Sequence, residues 1–339
     1  LSLTLGFVQT SHYATEDSLL MFLIVLAFIF FARFYKSKGK KYLILASVAT
    51  GLATSTKATG IFLVFPLLYL IIKNYRKKKD SSFGGLFKDA FKYLAIAASG
   101  YLVTTPGIFT HPSVFLSDTL WQATKQASSA ALGHPDLIIY ISNMIRCFGL
   151  PLFLLVIAGL VFSLYEFRKG KRFLFTIYVF IIPFFLIIGN FRAVGVWYVL
   201  PLVPFLAFFG GIIIPKFLKS HRNGRKIWAV LIIFILSFSS IYTGLSIYQF
   251  TEDSRVKSKE WMEKNLPPGS EIDVYCPYRI YLPEFPENTK VNRHQTWGGY
   301  GENWKIALSR LRTNKPDYLL LLSLTSIPAA NSLTVFPVE

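Results

Sequence analysis

The chain is poor in the residues that hold small secreted or metal-bound domains together. Only two of its 339 residues are cysteine, Cys147 and Cys276. So far apart, they form neither a disulfide framework nor a metal-ligand spacing. Each reads as a structural thiol, Cys147 at a helix start and Cys276 in the tail. Acidic side chains are also scarce: 18 Asp and Glu stand against 36 Lys and Arg, a formal net charge of +18. No P-loop, dinucleotide-binding glycine pattern, Ser-His-Asp signature or H-E-x-x-H occurs. Gly298-Gly299-Tyr300-Gly301 reads as a turn, so a nucleotide-sugar site has no support. There is no internal repeat and no low-complexity segment. A charged n-region and a signal cleavage site are lacking too. Leu1 to Val8 reads as the last turns of a membrane helix, and an upstream segment is expected.

What the chain has in quantity is apolar surface: 53% of its residues are hydrophobic and 32 are Phe. A soluble globular protein rarely combines this with so large a net charge. Eight apolar segments stand out: Leu19–Phe34, Tyr42–Thr56, Ile61–Ile72, Phe91–Thr105, Phe148–Tyr165, Phe173–Gly189, Trp197–Ile214 and Trp228–Tyr248. A helical span needs roughly 20 mostly apolar residues, and in lipid the backbone must satisfy its own polar groups. The chain reads as an all-α polytopic membrane protein.

Pairing the segments in order makes the loops alternate sides. One side collects Arg33 to Lys41, Lys73 to Lys79, Arg168 to Arg172 and Lys216 to Lys226. The other holds only Lys57, Lys125, Arg146 and Arg192 before the tail begins. Basic residues in short loops mark the cytoplasmic face, where each is worth about 1 kcal/mol against an anionic leaflet. The excess charge is thus explained without nucleic acid, and membrane lipid is the partner it implies. Residues 1–250 form the membrane domain, with a long extracytoplasmic loop over 106–146. Within that loop Phe115–Ala131 reads as an interfacial helix. Residues 251–339 change character, with helix over 255–265, strand over 272–276, helix over 304–312 and strand over 317–324. They are expected to form a small C-terminal α/β extracytoplasmic domain.

Ile61–Ile72 would rise only about 18 Å as an α-helix. Either the helix extends back through Ser55, or the Lys57 loop lies below the membrane surface in a protein-lined cavity. On the second reading the acidic turn His12-Tyr13-Ala14-Thr15-Glu16-Asp17-Ser18 meets Lys57 at one face. Asp17 at a helix start also serves as a capping charge, and Lys57 at a helix end can snorkel. Yet Lys57 stands against the charge asymmetry, in a run of small residues that admits a ligand. Arg192 is equally out of place for its side and offers a fork suited to phosphate. His12, His111 and His134 share the outer side, but their spacing matches no metal motif. Neither a metal nor a cofactor is expected.

Three motifs carry a resemblance. His12-Tyr13-Ala14-Thr15-Glu16-Asp17-Ser18-Leu19-Leu20 resembles the aromatic-x-Thr-x-Asp-x-Leu-Leu pattern of the polyprenyl-phosphate-sugar-dependent glycosyltransferases of GT-C type. Leu52 to Gly60 resembles their Gly-Leu-Ala-x-x-Thr-Lys-x-x-Gly segment. Arg192 with Trp197-Tyr198-Val199-Leu200-Pro201-Leu202-Val203-Pro204 resembles their Arg-Tyr-x-x-Pro-x-x-Pro helix start. The tail, with Asn265-Leu266-Pro267-Pro268-Gly269, is similar to the soluble domain that often follows. That group includes protein O-mannosyltransferases and lipid A aminoarabinose transferases. The resemblance implies a GT-C-like transmembrane bundle. It implies inverting transfer of a hexosyl or pentosyl sugar from a dolichyl- or undecaprenyl-phosphate donor. The acceptor would be a protein, lipid A or another glycan at the extracytoplasmic face. It makes Asp17 the second acidic residue of the site, which orients acceptor or sugar. Lys57 and Arg192 hold the donor phosphate, while His12, Tyr13, Glu16, His111 and Tyr198 line the substrate. The principal base belongs to a loop upstream of Leu1.

Two other classes fit some of the same residues. A transporter or flippase for a lipid-linked or anionic solute also uses intramembrane charge, but would more often show matched repeats. A scaffolding membrane protein leaves Lys57 and Arg192 without a role.

Overall fold

The computed structural model describes residues 16–76, 82–131, 137–189, 196–219, 222–251, 253–275, 282–294, 315–322 and 333–337, with isolated positions 4, 5, 8, 309, 312 and 313. The chain forms two compact units, Leu1–Thr243 and Gly244–Glu339.

All eight apolar segments are largely helical, and the last of them, Trp228–Tyr248, runs past Thr243. The helices are α1 (Glu16–Ser37), α2 (Lys40–Thr56), a 3₁₀ segment (Ala58–Leu63) continuing as α3 (Val64–Tyr75), and α4 (Phe83–Thr104). Next come α5 (Gly107–Thr110), α6 (Pro112–Ala131), α7 (Leu137–Phe148), α8 (Leu150–Arg168) and α9 (Leu174–Ile188). Two short 3₁₀ turns, Val196–Tyr198 and Leu200–Leu202, lead into α10 (Val203–Leu218), and α11 (Arg222–Thr251) follows. Among the described residues five runs are long and apolar enough to cross a bilayer: Glu16–Ser37, Ala58–Tyr75, Leu150–Arg168, Val196–Leu218 and Gly224–Tyr248. Ile138–Phe148 and Leu174–Ile188 are apolar but shorter.

Helix α1 shows why the molecule belongs in lipid. Leu20, Ile24, Ala27 and Phe31 on its inner face are fully buried, while Leu19, Phe22 and Ile29 outside are 54%, 61% and 49% exposed. A helix apolar on both faces has no aqueous face to offer. This is an integral membrane protein. Inside, Phe28 of α1, Phe180 of α9 and Phe205 of α10 pack with ring centroids 4.4 to 5.6 Å apart. Edge and tilted contacts of this kind add to burial.

Close helix approach depends on small residues. A Cβ on Gly51 of α2 would sit 2.1 Å from the Ala97 carbonyl oxygen of α4. One on Gly159 of α8 would sit 1.9 Å from that of Phe209 on α10. Polar side chains within α2 turn inward on their own backbone. Ser47, Thr50, Thr54 and Thr56 donate to carbonyls four residues earlier at 2.8–2.9 Å, which satisfies the hydroxyls without water.

The basic ends of the helices carry their own contacts. Lys73 donates to Tyr69 Oη at 3.1 Å and lies 4.6 Å from the Tyr35 ring centre. Glu166, nearly fully buried at the end of α8, pairs with Lys171 at 2.5 Å and Lys216 at 3.7 Å.

The expected loop over 106–146 is instead largely helical, as α5, α6 and α7. Helix α6 covers the predicted interfacial segment, and Val114, Leu116, Leu120 and Trp121 on it are exposed. Helix α7 returns to the core, where Tyr140, Met144, Cys147 and Phe148 are buried. Cys147 therefore lies in the last turn of a helix, not at a helix start. The link from α7 to α8 is the single residue Gly149 at φ 72°, a conformation glycine adopts without a Cβ clash. Three apolar turns are too few for a span, so sequence length alone made α7 look like a loop.

The second unit contains α12 (Ser254–Asn265) and a sheet of β1 (Glu271–Tyr275), β2 (Lys290–His294), β3 (Tyr318–Leu322) and β4 (Leu333–Pro337), in the order β2-β1-β3-β4. The first three are mutually parallel, and β4 runs antiparallel beside β3. Met262, Ile272, Val274 and Leu320 form its core. On the other face of the sheet the parallel register sets Asn292 opposite Asp273. Asn292 Nδ2 donates to Asp273 Oδ1 at 3.0 Å, and His294 Nε2 lies 3.1 Å from Asp273 Oδ2. Strands β2 and β4 are additions to the expected helix–strand–helix–strand order. Most of the predicted 304–312 helix, Cys276 and the 298–301 turn lie outside the described residues.

Asp253 caps α12 by accepting from the Arg255 backbone N–H at 2.9 Å. The Arg255 guanidinium, hydrogen-bonded to the same carboxylate, holds its pKa below the ordinary aspartate value. A folded-state pKa below the unfolded one stabilises above the unfolded value, and the benefit fades as pH falls through the folded value. Asp253→Ala should therefore cost about 1 kcal/mol at neutral pH. The difference should close at acid pH, as the pH falls through that lowered value. Amide hydrogen exchange across α12 at both pH values checks it.

Candidate active site

The chain breaks its helical course at one residue between α2 and α3. Lys57 is extended, at φ −155° and ψ 138°. Its N–H donates to the Ala53 carbonyl at 3.1 Å, and its own carbonyl accepts from Gly60 N–H at 2.8 Å. Gly60 folds so tightly on α2 that a Cβ there would lie 2.3 Å from the Ala53 carbonyl carbon. Ser55 Oγ donates to the Thr104 carbonyl at 3.1 Å, tying the break to the end of α4. The 3₁₀ segment lengthens the third apolar run to Ala58–Tyr75. The expected shortfall in span disappears, although the third run reaches back only to Ala58 and not to Ser55.

This break aims the Lys57 ammonium at the start of α1. Lys57 Nζ donates to Asp17 Oδ1 at 2.7 Å and lies 3.2 Å from Glu16 Oε1. Side-chain exposure is 7% for Asp17, 19% for Lys57 and 53% for Glu16. Asp17 is thus deep, Glu16 faces outward, and the ammonium lies between them. The positive end of the α1 dipole favours both carboxylates. On the remaining side the Tyr198 ring centre is 5.8 Å from Lys57 Nζ, within cation–π range. Tyr198 stands in the three-residue turn Val196–Tyr198, and its carbonyl accepts from Tyr140 Oη at 3.2 Å.

Four predicted residues therefore come together: Glu16, Asp17, Lys57 and Tyr198. His111 does not join them. It is exposed at the start of α6, with Nδ1 3.1 Å from Thr110 Oγ1, and makes no hydrogen bond or ion pair to the cluster among the described residues. His12, Tyr13 and Arg192 lie outside the described residues, as does His134. Among the described residues no three His, Cys, Asp or Glu side chains gather as a metal site. Sequence reasoning missed two neighbours. Thr59, two residues past Lys57, is buried, and its Oγ1 finds no hydrogen-bond partner among the described residues. Tyr140 reaches Tyr198 across 58 positions of chain, and no local motif signals it.

Residues 1–110 match the family model of dolichyl-phosphate-mannose-protein mannosyltransferase. The match is to a GT-C family domain, and it spans about a third of the chain. No curated protein and no solved structure matches the chain. The matched segment contains α1, the Lys57 break and the end of α4, and so the whole ion cluster. Tyr140 and Tyr198 come from beyond it. The family points to a glycosyltransferase.

Taken as fully ionised, Glu16, Asp17 and Lys57 sum to one negative charge. Such a cluster holds its ammonium firmly, yet an anionic ligand needs a further cation beside it. Separating the pair by removing one partner leaves a buried charge, at about 3–5 kcal/mol.

Proposed function

We propose that the chain transfers mannose from a polyprenyl-phosphate donor to a protein acceptor, with Lys57 at the donor phosphate. The observation that carries this is the Lys57 ammonium held at 2.7 Å from Asp17 at a helix break, inside the family-matched segment. The acceptor hydroxyl attacks the sugar C1 and loses its proton to a carboxylate base. The bond from C1 to the phosphate oxygen breaks, and the polyprenyl phosphate leaves with the electron pair. Attack from the side opposite the leaving phosphate inverts C1.

The charge that grows in this step lies on the phosphate. Fixed cations in a partly dry site stabilise it far better than water does. Lys57 supplies one such cation, and Arg192 is the second that the cluster's net charge requires. Asp17 orients the acceptor or the sugar and keeps Lys57 in place. The site faces the extracytoplasmic side, because Asp17 lies at one end of α1 and Lys36 at the other, about 30 Å apart at 1.5 Å per residue. The short loops beside Lys36 carry the positive-inside charge. The same alternation puts the second unit on the outer side.

The test is product analysis on the intact membrane protein in lipid nanodiscs, given polyprenyl-phosphate-mannose and a Ser/Thr-rich peptide. Mannosyl-peptide and free polyprenyl phosphate should appear one for one. Passage of a lipid-linked or anionic solute across sealed vesicles, with no covalent product, would establish the transporter instead.

A further inference from the structure

The Lys57 cluster has three walls, and two are fixed by helices. Glu16 and Asp17 are held by the first turn of α1, and Lys57 by the junction of α2 with α4. The third wall is Tyr198, in a 3₁₀ turn of only three residues. So short a turn has little stiffness of its own. Something outside it must fix where its ring lies.

Tyr140 is built to do that. It is fully buried on α7, and its ring meets Phe185 of α9 edge-on at 5.4 Å. A phenol in such surroundings needs an acceptor, because an unmet buried hydroxyl is costly. Its acceptor is the main-chain carbonyl of Tyr198, at 3.2 Å. The apolar ring anchors one end of the contact in the core, and the hydroxyl grips the turn at the other. We infer that Tyr140 is a positioning residue for the donor site: its hydroxyl, bonded to the Tyr198 carbonyl, fixes the Tyr198 ring over the Lys57 ammonium. This rests on the reading of Lys57 as the phosphate-binding cation. It extends that site to α7, outside the family-matched segment.

The position of the ring matters for an electrostatic reason. An aromatic face 5.8 Å from the ammonium attracts it weakly and without a formal charge. It thereby confines Lys57 without competing for its N–H donors, which stay available to carboxylate and phosphate oxygens. If the turn drifts, Lys57 samples more positions and the donor must order it on binding.

The test removes one oxygen. Tyr140→Phe keeps the ring in place and deletes the bond to Tyr198. In the intact membrane protein it should raise KM for polyprenyl-phosphate-mannose about fivefold to tenfold, the worth of one hydrogen bond, with kcat little changed. In a Tyr198→Leu background, where the ring is gone, Tyr140→Phe should add nothing. In a Tyr198→Phe background, which keeps ring and carbonyl, its effect on KM should persist. A general loss of packing would predict the same penalty in every background, and that result overturns the inference. So does an unchanged KM in Tyr140→Phe while Lys57→Met and Tyr198→Leu both raise it. If none of the three variants alters donor KM, the placement of the donor site itself is wrong.

Discussion

Lys57→Met in the intact membrane protein is expected to lower sugar transfer by about 10²–10³-fold, the usual loss when one preorganised group facing developing charge is removed. Methionine keeps most of the length and apolar stem of lysine and takes away only the ammonium. The leaving phosphate then departs with one cation fewer in a partly dry site. A second effect accompanies the first. Asp17, 7% exposed at its side chain, loses the partner at 2.7 Å and becomes a buried carboxylate without an ammonium, at a cost of about 3–5 kcal/mol. The two effects separate in a double variant. Asp17→Asn with Lys57→Met removes both charges, so thermal melting in detergent should recover toward the parent while transfer stays low. Transfer by Lys57→Met within about twofold of the parent, against a barrier change of 1.4 kcal/mol per factor of ten, would remove Lys57 from the donor site.

The second large effect comes from a residue with no chemistry of its own. Gly60→Ala would put a methyl 2.3 Å from the Ala53 carbonyl carbon, 2.4 Å from its oxygen and 2.5 Å from Thr54 N. All three are backbone atoms of α2, so no side chain can swing aside. The 3₁₀ segment must move off α2, and Lys57, three residues earlier, moves with it. Overpacking of this kind costs about 1–3 kcal/mol or more. The expected result is a lower melting temperature in detergent together with a loss of transfer, although every charged residue is intact. Gly211→Ala in α10 is the control. Nothing lies within 4 Å of its Cβ, and replacing an interior helix glycine should be neutral or gain up to about 1 kcal/mol. Equal behaviour of the two variants would show that the tight turn at Lys57 does not set the site.

Much of this is legible in the sequence. The helices follow from runs of Phe, Leu and Ile that leave lipid as the only fitting solvent. Asp17 and Lys57 were legible because each is a charge where charge is costly, and because the loop between α1 and α2 is short. Two helices joined by Lys38 and Gly39 run side by side and bring their far ends together.

Other features left no local mark. Helix α7 is too short to announce a span, and its neighbours His134 and Pro135 look like loop. Burial of Glu166 depends on Lys171 and Lys216, which arrive from the loop after α8 and from α10. The grip of Tyr140 on Tyr198 joins an apolar helix to a turn through a main-chain carbonyl, which every residue possesses. His111 stays apart from the cluster for a related reason: nothing in its own stretch of sequence tells whether its ring reaches Lys57.

Composition settled the solvent and the helices, because lipid tolerates few backbones and few ions. Which side chains meet at Lys57 was decided by packing. One extended residue, a glycine pressed on α2 and a buried phenol set distances of a few ångströms, which depend on contacts between helices far apart in the chain.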